Sequence, residues 1–252
     1  MNRLRTLFPV LGLILVVMAC NEDDENVQSP INPNPQPLQL VIGASIDDSA
    51  LTYNTTYANI AGTTLQFTRV AFYMSEFSFQ RGDDESVSSD SATVLLKDGD
   101  FSESYILAEV PNEGFNELTF FVGLPNAINH ADPTLASAPL DDPSLHWNWN
   151  PTLGYLFARI EGRYDSNLDG VITNADDQFQ YHAATDNLYT RVSLNIASAP
   201  SVSEISGPVL IGLDMRILFN GINIPQSSIS HGATEGNIQL MNNFESAMQA
   251  GQ

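Results

Sequence analysis

The sequence predicts an all-β protein, a two-sheet antiparallel sandwich with long functional loops. Short runs rich in β-branched and aromatic residues recur between turn signals through most of the chain. Several of them alternate apolar and polar residues at period two, which buries one face of a strand. No long helical period competes with them. About 230 residues beyond the leader are enough for one such domain with elaborated loops.

The chain opens Met1-Asn2-Arg3-Leu4-Arg5, followed by an apolar stretch from Leu7 to Met18 and then Ala19-Cys20. A basic start, an apolar run too short to span a bilayer and a small residue ahead of a cysteine describe a cleaved secretory signal over residues 1–19. Val17-Met18-Ala19-Cys20 resembles a lipobox, and Cys20 is the single cysteine of the chain. A lone thiol is a liability in an oxidising compartment, and acylation of Cys20 explains both its presence and its solitude. The expected location is therefore a lipid anchor in the bacterial outer membrane, facing the periplasm or the cell surface. The acidic run Asn21 to Asn26 resembles a surface-export stretch and reads equally well as a solvated tether. With Val27 to Pro37, rich in Pro and Asn, it makes residues 20–37 a linker. The folded domain is expected over 38–252.

Strands are predicted at Leu38 to Ile46, Leu65 to Gln80, Thr93 to Leu96, Tyr105 to Ala108, Leu118 to Leu124, Tyr155 to Ile160, Val192 to Ile196 and Val209 to Phe219. In the last, Val209, Ile211, Leu213, Met215, Ile217 and Phe219 share one face at period two. The second changes parity twice, so bulges, a crossover or a short turn are expected near Arg69 and Ser75. Gly82 to Ser91 reads as a polar loop, and Phe244 to Gln249 as a short terminal helix.

Residues 165–176 fit the D-x-N-x-D-G-x-I-x-x-x-D form of a calcium loop. Calcium takes several hard oxygens at about 2.4 Å, and the spacing offers Asp165, Asn167 and Asp169, the carbonyl of Val171, Thr173 and the carboxylate of Asp176. Gly170 permits the sharp turn, and Ile172 is expected to pack inward. A polar turn that binds nothing would need the same Asx residues.

Three of the four histidines, and both tryptophans, lie between Asn129 and His182. They fall in Asn129-His130-Ala131-Asp132-Pro133, in Leu145-His146-Trp147-Asn148-Trp149 and in Phe179-Gln180-Tyr181-His182. Neutral imidazoles are good ligands for copper. In an extended backbone Trp147 and Trp149 point to one side and His146 to the other, so a site using His146 with a tryptophan needs a non-strand backbone there. His231 lies outside these motifs and reads as a loop residue.

These segments, with Ala138-Pro139-Leu140 and Gly154 to Gly162, resemble the MbnP family of exported proteins, encoded beside MauG/MbnH-like di-haem partners. The resemblance runs from about Leu65 to Leu194. It implies an all-β fold and a copper site made of histidines and a tryptophan oxidised to kynurenine by the di-haem oxidase. It points to His146 and His182 as first ligands, with His130 next, and to Trp147 or Trp149 as the oxidised residue. The chain departs from part of the family in lacking any thiol beyond Cys20.

Without Arg3 and Arg5, seven Lys and Arg face thirty Asp and Glu, a net charge near minus twenty-three. That balance excludes nucleic acid as a partner, and contact with a membrane is expected through the lipid anchor alone. There is no G-x-S-x-G, no H-E-x-x-H and no catalytic cysteine, so no enzyme is expected. The competing reading is a calcium-stabilised surface sandwich that binds a glycan or a protein through Trp147 and Trp149.

Overall fold

Alternating burial builds both sheets of the molecule, which is described by a computed structural model over residues 32–81, 85–97, 104–112, 115–147, 151–173, 175–196 and 208–251. The elements in order are β1 (Asn32–Ile46), β2 (Ser49–Ala50), β3 (Tyr57–Ile60), β4 (Thr63–Arg81), β5 (Glu85–Lys97), β6 (Ser104–Asn112), β7 (Glu117–Val122), the helical turn α1 (Asn126–Asn129), β8 (Leu156–Tyr164), β9 (Gln178–Ala184), β10 (Thr190–Asn195), β11 (Val209–Asp214), α2 (Met215–Leu218), α3 (Ile224–Ser227), β12 (Ile229–His231), α4 (Glu235–Ala247) and β13 (Met248–Ala250). One sheet runs β13-β11-β1-β2, with β6 also on β1. The other runs β10-β7-β4-β8-β9-β12, with β3 and β5 also on β4. The two pack together as an all-β sandwich. Most pairings are antiparallel, but β1 with β11 and β9 with β12 are parallel.

Leu38, Leu40, Ile42, Ala44 and Ile46 of β1 and Leu118, Phe120 and Val122 of β7 are buried at strict alternation. Between the sheets, Phe219 meets Phe67, Phe179 and Tyr181 at centroid distances of 5.4, 5.9 and 5.5 Å, all edge-on. Each such pair adds about 0.5–1.5 kcal/mol beyond its buried area. Phe72 against Phe244, at 5.3 Å, seats α4 on the larger sheet.

The parity changes of β4 are bulges, between Phe67 and Arg69 and between Ser75 and Phe77, with Glu76 at φ +52°. Several expectations are corrected. Glu85 to Ser91 is strand, not loop, because its backbone pairs with Phe77 to Arg81. The strand predicted to Phe219 stops at Asp214, whose carboxylate accepts from the backbone N–H of Arg216 and Ile217 and caps α2. The terminal helix is longer and earlier, Glu235–Ala247, and a short strand follows it. The first strand starts at Asn32, ahead of the boundary expected at Leu38, and its pairing with β6 is irregular where its prolines lie.

Candidate metal centre

On β8, Ile160 and Tyr164 are buried while Arg159, Glu161 and Arg163 take the other face; on β9, Phe179 and Tyr181 are buried. Register pairs Arg159 with His182, Glu161 with Gln180 and Arg163 with Gln178, so these six share the outer face of the larger sheet. β12 then lies parallel to β9 with His231 opposite His182. Side chains paired across a strand gap stand on the same face. The two imidazoles accordingly stack at 4.8 Å, 12° from parallel.

Asn237, on α4, holds β12 in place. Its Nδ2 donates toward the carbonyls of His182, Ser230 and Gly232 at 2.9, 3.0 and 2.8 Å, and the residue is fully buried. The Gly232 N–H also donates to the His182 carbonyl, at 2.9 Å.

The third ring comes from the loop ahead of β8. Asp142 accepts from Ser144 N and starts a turn at Pro143–Leu145. The chain then extends through His146, at φ −116° and ψ 139°, and bridges to Tyr155. Trp147 N donates to the Gly154 carbonyl at 3.0 Å. The indole stands edge-on to both imidazoles, at 5.5 Å and 80° to His231 and at 6.2 Å and 78° to His182. Only 3% of Trp147 is exposed, whereas His231 is open to solvent.

A charged pair flanks this group. Glu161 Oε1 accepts from His182 Nε2 at 2.7 Å and from Arg159 Nε at 2.8 Å, and Arg159 Nη1 reaches the Ser144 carbonyl at 2.7 Å. Burial alone would raise the Glu161 carboxyl, but the hydrogen bonds from His182 and Arg159, together with the Arg159 charge, bring it down to about 2. The partial covering of the His231 ring, and then the neighbouring His182, lower His231, with Glu161 opposing.

The structure brings Trp147 and His182 together and places His146 and His130 elsewhere. Because the backbone at His146 is extended, its ring turns to the opposite side and meets Tyr155, edge-on at 5.1 Å. His130 is held by Asp186, whose two carboxylate oxygens lie 3.2 and 3.1 Å from Nε2. His231, read as a loop residue, ends β12 and stacks on His182. Trp149 and Cys20 lie outside the described residues. Among the described residues no three histidine, cysteine, aspartate or glutamate side chains stand together as a metal-ligand group.

In the loop 165–176, Asp165 accepts from the N–H of Asp169 and Gly170 at 3.2 and 2.8 Å, and Asp176 from Thr173 N and Oγ1 at 2.6 and 3.0 Å. Asn167 and Asp169 cap the N–H groups of Asp169 and Val171. Gly170 makes the sharp turn at φ +83°, and Ile172 is half-buried. The carboxylates thus close the loop on its own backbone.

The sequence matches the family model MbnP over residues 35–238, a span that takes in Trp147, His182 and His231. The chain belongs to the MbnP family. Among solved structures, MbnP from Methylosinus trichosporium matches at a TM-score of 0.55 and 16% identity, covering 80% of this chain and 82% of that one. That likeness is one of fold. No curated protein matches.

In this member of the MbnP family, the local signal at His231 is a short alternation. Ile229 and His231 alternate ahead of Gly232, whose φ of +69° ends the strand. Nothing in the local sequence pairs that three-residue strand with β9, which lies far back in the chain, nor announces that Asn237 reaches the pair from α4.

Proposed function

We propose that the chain is an exported, lipid-anchored copper-binding protein, a carrier or scavenger rather than an enzyme, whose copper lies among His182, His231 and the ring of Trp147. The observation that carries this reading is the enclosed indole set edge-on to two stacked imidazoles. Two imidazoles are suitable donors for copper. An indole N–H donates and does not ligate. Membership of the MbnP family supports copper and an MbnH-type di-haem partner, with Trp147 as the residue that the partner oxidises. Cleavage of the indole C2–C3 bond takes up two oxygen atoms from two peroxide equivalents, which are reduced to water. Hydrolysis then releases the formyl carbon as formate and leaves kynurenine, whose aniline nitrogen can serve as a third donor.

Export and lipidation rest on residues 1–20 as read from the sequence, and no helix among the described residues is long and apolar enough to cross a membrane. Calcium is proposed as a second, structural cation at residues 165–176, supported by the spacing and by Gly170 at the sharp turn. The competing glycan- or protein-binding reading loses its platform at Trp147, which is buried rather than presented.

The test is metal analysis with intact and peptide mass spectrometry on protein from its native host. Copper that disappears in His182→Ala and His231→Ala but persists in His146→Ala, with a gain of about 4 Da on the peptide at Trp147, is the expected result. Unmodified tryptophan, with calcium as the sole stoichiometric metal, would overturn the copper assignment.

A further inference from the structure

We propose that Glu161 is the positioning residue of this centre: it fixes His182 as the Nε2–H tautomer and so makes Nδ1 the nitrogen that meets the metal. The inference rests on the copper reading above for its second half and on hydrogen bonding alone for its first. A glutamate carboxylate at neutral pH has no proton to give and can only accept. The contact between Glu161 Oε1 and His182 Nε2, at 2.7 Å, therefore needs its proton on Nε2. A neutral imidazole carries one N–H, so the lone pair of His182 is on Nδ1. Metal-bound histidines commonly donate their other N–H to a carboxylate, which fixes the ring and raises its basicity.

The same carboxylate is itself held. Arg159 Nε donates to Glu161 Oε1, while Nη1 of that guanidinium donates to the Ser144 carbonyl, three residues ahead of Trp147. One hydrogen-bonded line thus runs from the tryptophan loop through Arg159 and Glu161 to His182. Arg159 and Glu161 are mostly shielded, with 22% and 18% of their side chains exposed, so solvent competes weakly for these bonds. His130 with Asp186 is a second histidine–carboxylate pair, more exposed and lacking an adjoining imidazole stack, and it serves as an internal control.

The experiment is long-range 1H–15N correlation of the histidine rings in the metal-free protein, followed by titration with copper(I), for wild type, Glu161→Gln and Glu161→Ala. The expected result is a wild-type His182 that is mainly Nε2–H, with the Nδ1 resonance moving on addition of copper(I) while Nε2 keeps its proton. Glu161→Ala should mix the tautomers and weaken copper(I) binding by roughly 10–100-fold. Glu161→Gln, whose amide oxygen can still accept, should retain most of both properties. Unchanged His130 resonances would show that each variant is folded. An Nδ1–H tautomer in the wild type, or a Glu161→Ala variant with wild-type tautomer and affinity, overturns the assignment. A wild type that binds no copper(I) refutes the copper reading and Nδ1 ligation together, and the tautomer measured without metal still decides the role of Glu161.

Discussion

Asn129 joins three parts of the chain that lie far apart in sequence. Its Oδ1 accepts from Tyr155 N at 2.8 Å, and its Nδ2 donates to Asp186 at 2.8 Å. Gly154 lies directly against it, with a φ of +71°; a Cβ there would come within 2.3 Å of Asn129 Oδ1. Gly154→Ala therefore suffers both backbone strain and a polar clash. It should lose about 2–4 kcal/mol in chemical denaturation, with a change in Trp147 fluorescence, because the Gly154 carbonyl holds the Trp147 N–H. At this scale much of the site could be read from sequence. Trp147 and His182 stood in the motifs, and the parity rule already separated His146 from Trp147. His231 could not be read, since its value comes from register with a strand some fifty residues earlier.

The short strand β12 is held by its backbone bonds to β9 and by one side chain of a neighbouring helix. Asn237 offers two N–H bonds to three carbonyls that otherwise face a buried seam between β9 and β12. Asn237→Ala should leave the far-UV circular dichroism of the sandwich close to wild type while copper(I) affinity falls tenfold or more, as His231 loses its fixed place beside His182. Element boundaries were legible where alternation ended at a turn and failed where a cap ended it. The run from Val209 to Phe219 keeps period-two spacing throughout, but Asp214 supplies two backbone hydrogen bonds that favour a helical turn, and Met215, Leu218 and Phe219 are buried from that turn instead. The polar run from Glu85 shows the opposite case, in which cross-strand backbone bonding to β4 makes a strand that few of its side chains announce.

The whole molecule is strongly anionic, with a formal charge of −21 at pH 7 for the full sequence. Like charge spread over one fold opposes compaction and is screened by salt. The midpoint of thermal unfolding should therefore rise by several degrees between about 10 mM and 0.3 M potassium chloride in chelated buffer, as followed by calorimetry. A midpoint that falls or stays level would mean that the surface ion pairs, such as Lys97 with Asp142, outweigh the repulsion. The all-β sandwich was legible because alternation is a local property that adds up along the chain. The two parallel pairings were not, because each joins strands from distant parts of the sequence and leaves no local mark.

Trp147, His182 and His231 come from three separate stretches, and the last arrives only when β12 closes against β9 near the end of the chain. A nascent or unfolded chain has no such meeting point. On the export proposed above, a chain threaded through a translocon in extended form would cross empty-handed, and any metal would have to be loaded in the compartment where the final strand docks.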